Sequence, residues 1–263
     1  MLAKLLKSIL SRTTPPAKAE VAPDTMSEGM LHAHLRSAKL ALPGPHYSQV
    51  LSAVHRQSKP RTYVEVGIGT GDTIALALPG TRVLGVDIKP MIEGATGPDT
   101  RIFAMKSDDF FAQVDVAKEL DGLPVDLAFI DGMHHFEFAL RDFIALERLC
   151  SRDSTILVHD TYPLDRLTAA RERLTLFWSG DVWRFVLALK KYRPDLALHT
   201  IAAAPTGLTL IRRLDPASRT LAERLDAIVA EFTALDYGTL DADKAAALSL
   251  VPNTPEQLRQ LLQ

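Results

Sequence analysis

The sequence has one cysteine, Cys150, in 263 residues. It therefore cannot close an internal disulfide and has no companion thiols for a cysteine-rich metal centre. A reducing, cytoplasmic setting is the expectation. Charge of one sign is also lacking: 30 Lys and Arg stand against 32 Asp and Glu. The net charge of -2 gives no basic field that would draw the chain to nucleic acid. What is present is 47% hydrophobic content, enough for one large core, so a single domain with extensions is expected.

The first ten residues, "MLAKLLKSIL", place Leu2, Leu5, Leu6 and Ile9 on one helical face with Lys4 and Lys7 off it. The stretch is too short to span a bilayer and lacks the features of a cleaved signal peptide, so no stable membrane insertion is expected. It reads as a helix packed on its own domain or on a twin subunit, which would make it a homo-oligomer contact. The other reading is a membrane-surface or partner-docking helix. The prolines and small polar residues of "SRTTPPAKAEVAPDT" read as a flexible linker. The expected division is therefore an N-terminal helix and linker over residues 1–26, a domain over 27–215, and a helical extension over 216–263 packed on the domain.

A helix is expected around "HYSQVLSAVHR", with Tyr47, Val50, Leu51 and Val54 on one face. Strand-like runs recur at "TYVEVGI", "RVLGVDI", "RIFAMK", "VDLAFIDG", "STILVHD", "LALHTIAA" and "GLTLIRRL". Helix-sized intervals separate the first five, which implies a parallel sheet covered on both faces. One interval, "FEFALRDFIALERL", repeats Phe136, Leu140, Phe143 and Ile144 at helical spacing. The last two strands lie too close together for a crossover helix and are expected to form an antiparallel hairpin. The fold class is therefore α/β: a Rossmann-like, doubly wound, seven-stranded and mostly parallel sheet ending in an antiparallel hairpin. The segment with Leu221, Leu225, Ile228, Val229 and Phe232 reads as an amphipathic helix packed back on the body.

In such sheets ligands sit at the carboxyl ends of the strands. The first strand ends in "EVGIGTG", where Gly67, Gly69 and Gly71 allow close approach of a ligand and lead into an expected helix start that favours anionic groups. The second ends in Asp87, 22 residues after Glu65, a spacing suited to accepting hydrogen bonds from two ribose hydroxyls. A nucleoside ligand follows. Glu65 helps to choose it: a buried carboxylate needs a partner, here sought in a ligand, and would repel the pyrophosphate of a nicotinamide dinucleotide. S-adenosylmethionine carries an ammonium and a sulfonium and no phosphate, so Glu65 would gain a charge-assisted partner.

"VEVGIGTG", "VLGVDIKP" and "AMKSDDFF" resemble the first three motifs of class I S-adenosylmethionine-dependent methyltransferases, and the likeness extends over about residues 45–213. The resemblance implies that Glu65, Gly67, Gly69, Thr70 and Gly71 hold the methionine end and that Asp87 and Ile88 flank the ribose. Asp108 would take the adenine amino group, with Asp109 beside it able to do the same, and Asp131 would complete the cradle.

Asp131 ends the fourth strand, with His134 three residues later; Asp160 ends the fifth, preceded by His159. Adjacent parallel strands bring Asp131 and Asp160 to one sheet edge, and two convergent carboxylates suit Mg²⁺. "FIDGMHHFE" resembles metal-dependent small-molecule O-methyltransferases, particularly those acting on macrolide sugars. That resemblance makes His134 the general base, working with Asp131, and the acceptor a small-molecule hydroxyl on a sugar, phenol or polyketide. Relatives of the catechol type carry a second oxygen-donating ligand such as Asn or Asp, where this chain has Thr161. His135 and His159 read as structural.

Further along, Trp178 and Trp183 flank the turn-prone "SGD" and suggest a substrate lid. Arg166, Arg171, Arg173, Arg184, Lys190, Lys191 and Arg193 read either as a solvated face or as a site for an anionic substrate group. The nearest rival within the same fold is a metal-free methyltransferase using His134 alone; rivals of other classes are an NAD-dependent oxidoreductase and a non-catalytic nucleoside-binding or scaffold protein. Glu65 and the lack of a separate substrate domain oppose the oxidoreductase.

Overall fold

A computed structural model describes residues 25–94, 96–97 and 99–263. The expected N-terminal helix and most of the linker lie outside the described residues. The first described helix, α1 (Glu28–Ala41), starts where Ser27 accepts the Met30 N–H at 3.2 Å. Helix α2 (Tyr47–Ser58) is set by a capping box: His46 accepts from Ser48 N while its own N–H donates to Gln49 Oε1. Its buried residues Val50, Leu51 and Val54 lie on the face read from the sequence.

Seven strands appear where the apolar runs place them: β1 (Thr62–Val66), β2 (Arg82–Asp87), β3 (Thr100–Ala104), β4 (Val125–Ile130), β5 (Cys150–His159), β6 (Ala197–Ile201) and β7 (Leu208–Arg212). An eighth, β8 (Leu250–Val251), pairs parallel to β6. The order across the sheet is β3-β2-β1-β4-β5-β7-β6-β8. The first five strands run parallel, and β7 is antiparallel to both β5 and β6. The hairpin is as expected, but the sheet does not end with it. The extension after residue 215, expected to be only helical, supplies an edge strand of its own. It also folds as α-helices at Thr220–Glu223, Leu225–Thr233 and Pro255–Leu261. Leu221, Ile228 and Phe232 are buried.

Two helix-sized intervals are not helical. After the glycines only a three-residue 3-10 turn, Ile74–Leu76, forms, and the described residues of the β2–β3 connection form no helix. Pro79 and Gly80 stop the first after too few residues for a stable α-helix. The remaining crossovers carry α3 (Ser107–Gln113), α4 (Val116–Glu119), α5 (Phe136–Glu147) and α6 (Trp183–Tyr192). One core packs α5 and α6 against β1, β4 and β5 through Phe136, Leu140, Phe143, Phe185 and Ile156. A second, on the opposite face, joins α2 to the sheet through Leu51, Val54, Tyr63, Phe129 and Leu157. The carboxyl ends of β1, β2, β4 and β5 are thereby fixed along one edge.

Candidate active site

Gly67 begins the turn after β1 with φ +87°, and a Cβ there would fall 2.1 Å from the Asp131 carbonyl oxygen. Only glycine lets the two strand ends close, with Asp131 N donating to Val66 O at 2.8 Å. Gly69 has φ +53° and no atom within 4 Å of where a Cβ would sit, so this face of the turn is open to a ligand. Thr70 is exposed and donates to Asp72 at 2.9 Å.

Asp87 binds the turn itself. Its Oδ2 accepts from Ile68 N at 2.9 Å and Gly69 N at 3.0 Å, and its Oδ1 from Lys89 N at 2.7 Å. Two carboxylate oxygens offer about four lone-pair sites, so these three bonds leave room for a further donor. Beside it, Ile88 is 69% exposed, with Met91 at 54% and Met133 at 51%. Three large apolar side chains left in water around an open glycine turn suit a flat ring. Asp108, in the first turn of α3, is paired with Arg141 through two bonds of 2.9 and 3.0 Å, while Asp109 is exposed.

The partner that Glu65 requires lies within the protein. Its carboxyl is fully buried and accepts from Tyr63 Oη at 2.7 Å and from Thr73 Oγ1. Burial pushes it up to about 8, against the opposing effect of those two hydrogen bonds. Glu65 thus anchors Thr73, and with it the glycine turn, from beneath. The expected helix start, with its dipole, is replaced by the short 3-10 turn.

Across the turn, Asp131, His134 and Asp160 bring one ligand atom each to within 4.8 Å of the others. His134 Nδ1 lies 3.0 Å from the Trp178 carbonyl oxygen, which can only accept, so this nitrogen carries the proton. The other, Nε2, lies 3.0 Å from Asp160 Oδ2. Asp160 is held in the left-handed region at φ +60°, a strained conformation of the kind found at functional sites. Burial raises its carboxyl, against the opposing charges of His134 and His159.

His159, read from the sequence as structural, belongs to the site. Its Nδ1 lies 3.1 Å from Asp131 Oδ1 and its Nε2 3.2 Å from Thr206 Oγ1. Burial disfavours its charge, but Asp131 and Asp160 outweigh that and raise it to about 9. The same contact lowers Asp131 despite its burial. The Tyr47 ring packs against His159, tilted by 33° with ring centroids 4.0 Å apart, walling the cluster from the α2 side. Sequence reasoning placed Tyr47 only on the core face of its helix; its position at the first turn beside the cap was the available signal.

Thr161 is not brought to this cluster. Its hydroxyl is fully buried and accepts from Thr209 Oγ1 at 2.8 Å, which also lies 2.8 Å from Thr200 Oγ1. The third donor is His134 instead. His135 Nε2 meets Arg171 O at 2.9 Å, a local structural contact.

The two tryptophans part company. Trp178 stacks on His134 at 5.1 Å and 19° and donates to Ala170 O. Trp183 is 1% exposed, lies in α6 and packs edge-on to Tyr237, so it is core and not lid. The segment carrying Trp178 is fastened to the start of α5 by buried Asp181, which accepts from Phe136 N at 3.0 Å, Arg171 at 2.6 Å and Arg184 at 2.5 Å. Most of the basic residues in this region are spent internally: Arg166 on Asp236, Lys191 on Glu231, Arg193 on Glu147 and Asp195, and Lys190 on the Ala246 and Ala247 carbonyls. They do not gather into a substrate site.

Residues 64–161 match a family model described as a methyltransferase domain. No curated protein matches in sequence. Among solved structures, the cofactor-bound Rv0187 from MTB is 18% identical, with TM-score 0.50, over 79% of this chain and 95% of that one. The O-methyltransferase TomG from Streptomyces achromogenes, involved in tomaymycin synthesis and bound to S-adenosylmethionine, is 14% identical, with TM-score 0.51, over 73% of this chain and 92% of its own. At these identities the likeness is one of fold. The chain has the Rossmann-like α/β fold of the methyltransferases, and its segment 64–161 matches their domain.

Proposed function

We propose that the chain transfers a methyl group from S-adenosylmethionine to a hydroxyl of a small molecule such as a sugar, phenol or polyketide. The observation that carries the proposal is the convergence of the His134–Asp160 pair and the Asp131–His159 pair on the open side of the glycine turn pinned by Asp87. The residues fit the cofactor: Asp87 retains accepting capacity for a ribose hydroxyl, and Ile88, Met91 and Met133 offer apolar surface. Asp108, if it meets the adenine amino group, does so beside Arg141. The open faces of Gly69 and Thr70 border the methionine end, while Glu65 holds that turn from below.

When bound, S-adenosylmethionine supplies a methyl carbon made electrophilic by its sulfonium. His134 Nε2, the ring nitrogen not committed to the Trp178 carbonyl, would take the hydroxyl proton of an acceptor placed beside it. Asp160 stabilises the imidazolium so formed, and Trp178 holds the ring plane. His159, charged at neutral pH, neutralises Asp131 and leaves the site without two bare carboxylates.

A second reading rests on the donor set. Asp131, Asp160 and His134 would hold a divalent cation such as Mg²⁺, which would lower the acceptor's pKa. With Nδ1 committed to Trp178, Nε2 can be ligand or base but not both. The deciding assay is methyl transfer from labelled S-adenosylmethionine to a panel of hydroxyl acceptors. His134→Ala should lower turnover by roughly 10²- to 10⁴-fold with little change in cofactor affinity. Loss of activity in chelator, restored by Mg²⁺, selects the metal reading; full activity in chelator selects the base reading. A fully active His134→Ala enzyme refutes both. The lone buried thiol of Cys150 supports a cytoplasmic location, and no described helix is long and apolar enough to cross a membrane. A homo-oligomer contact through residues 1–10 stays part of the proposal.

A further inference from the structure

At the end of the sheet opposite the active site lies a groove of about 280 Å³. Its walls are Arg152 at the start of β5, His199 on β6, Arg212 and Arg213 at the end of β7, and Gln260 and Gln263 of the C-terminal segment. Leu210, Ala197 and Leu261 provide an apolar part of the lining. Arg152 precedes Asp160 by eight positions along β5, about 25 Å of extended chain, so the groove is separate from the proposed methyl-transfer site.

Its cations differ from the eight arginines that are held in ion pairs. Arg61, Arg82, Arg101, Arg141, Arg166, Arg171, Arg184 and Arg193 each hold a carboxylate. None of Arg152, Arg212 and Arg213 has such a partner among the described residues. Arg212 is engaged only by a long 3.4 Å bond to Leu261 O, and its Nε is buried with no acceptor. Asp153 also lines the groove but forms no ion pair with these guanidiniums. Among the side chains lining the groove, three cations stand against one acid. The guanidinium N–H groups of these arginines that carry no carboxylate partner can donate to an incoming oxyanion.

We propose that this groove binds a small phosphomonoester: the dianion lies among the three guanidiniums, where forked donors match phosphate oxygens, and an apolar moiety covers Leu210 and Leu261. The volume exceeds what a bare phosphate needs. His199, held neutral by its burial and by the Arg213 charge, adds a hydrogen-bonding wall without a further cation.

The full chain titrated calorimetrically with phenyl phosphate, at constant ionic strength, should show saturable binding at one site. Binding should be about tenfold weaker in Arg152→Gln and Arg213→Gln, both exposed residues whose replacement leaves the fold intact. Inorganic phosphate should bind more weakly than phenyl phosphate, and benzyl alcohol not at all. Circular dichroism and affinity for S-adenosylmethionine should match the parent in both variants, which separates failure of this proposal from failure of the methyltransferase reading. Equal phenyl phosphate affinity in the variants, or no saturable binding by the parent, would overturn the proposal. Equal affinity for phosphate and phenyl phosphate would refute the apolar subsite and with it the phosphomonoester assignment.

Discussion

Replacing Glu65 by glutamine should stabilise the ligand-free protein in alkaline solution and do little in acid. Burial carries this carboxyl from 4.5 to about 8. Between those values the folded chain retains a proton that the unfolded chain has released, so stability falls as pH rises through the window. At about 1.4 kcal/mol for each of the roughly 3.5 pH units concerned, the loss approaches about 5 kcal/mol near pH 8. The glutamine amide can still accept from one of Tyr63 and Thr73 and donate to the hydroxyl oxygen of the other, so the buried bonds survive. Urea unfolding of both proteins at pH 5, 6.5 and 8 measures the difference, and groups common to both, including Asp142 at about 7, cancel. The variant's relative stability should climb steadily across the series. Curves that stay parallel from pH 5 to 8 would refute a neutral, buried Glu65.

Two further substitutions test how the site is held. Gly180 has φ +61°, and a Cβ there would fall 1.9 Å from the His134 carbonyl oxygen; Gly180→Ala should displace the Trp178 segment, lower stability by about 2–4 kcal/mol in thermal unfolding, and reduce turnover. Trp178→Phe should lower turnover while changing stability little, whereas Trp183→Phe, deep in the core, should lower stability by about 1–3 kcal/mol with turnover per folded molecule preserved. Equal effects of the two tryptophans on turnover would contradict their separate places.

Strand positions were legible because each apolar run is short and bounded, and the hairpin because so few residues join β6 to β7. Strand β8 was not, since two residues, Leu250 and Val251, carry no periodicity. The meeting of Asp131 and Asp160 followed from strand adjacency alone. The third donor did not: His134 reaches Asp160 only because Gly180 admits the Trp178 segment against it, a contact 44 residues apart in sequence. Thr161 followed Asp160 in the chain but turned into a buried row of threonine hydroxyls. His159 was read as structural and Tyr47 as a core-face residue because their meeting at the cluster is a ring contact between two separate elements. Glu65 was singled out as a buried carboxyl whose partner was sought in a ligand, whereas Tyr63 and Thr73, within ten residues of it, supply that partner.

The central claim is that the turn pinned by Asp87 receives S-adenosylmethionine. Calorimetric titration of the parent and of Asp87→Ala with S-adenosylmethionine, S-adenosylhomocysteine and NAD tests it most directly. S-adenosylmethionine and S-adenosylhomocysteine should bind and NAD should not, with affinity lower by roughly 1–3 kcal/mol in the variant. Binding of NAD alone, or equal S-adenosylmethionine affinity in both proteins, would contradict it.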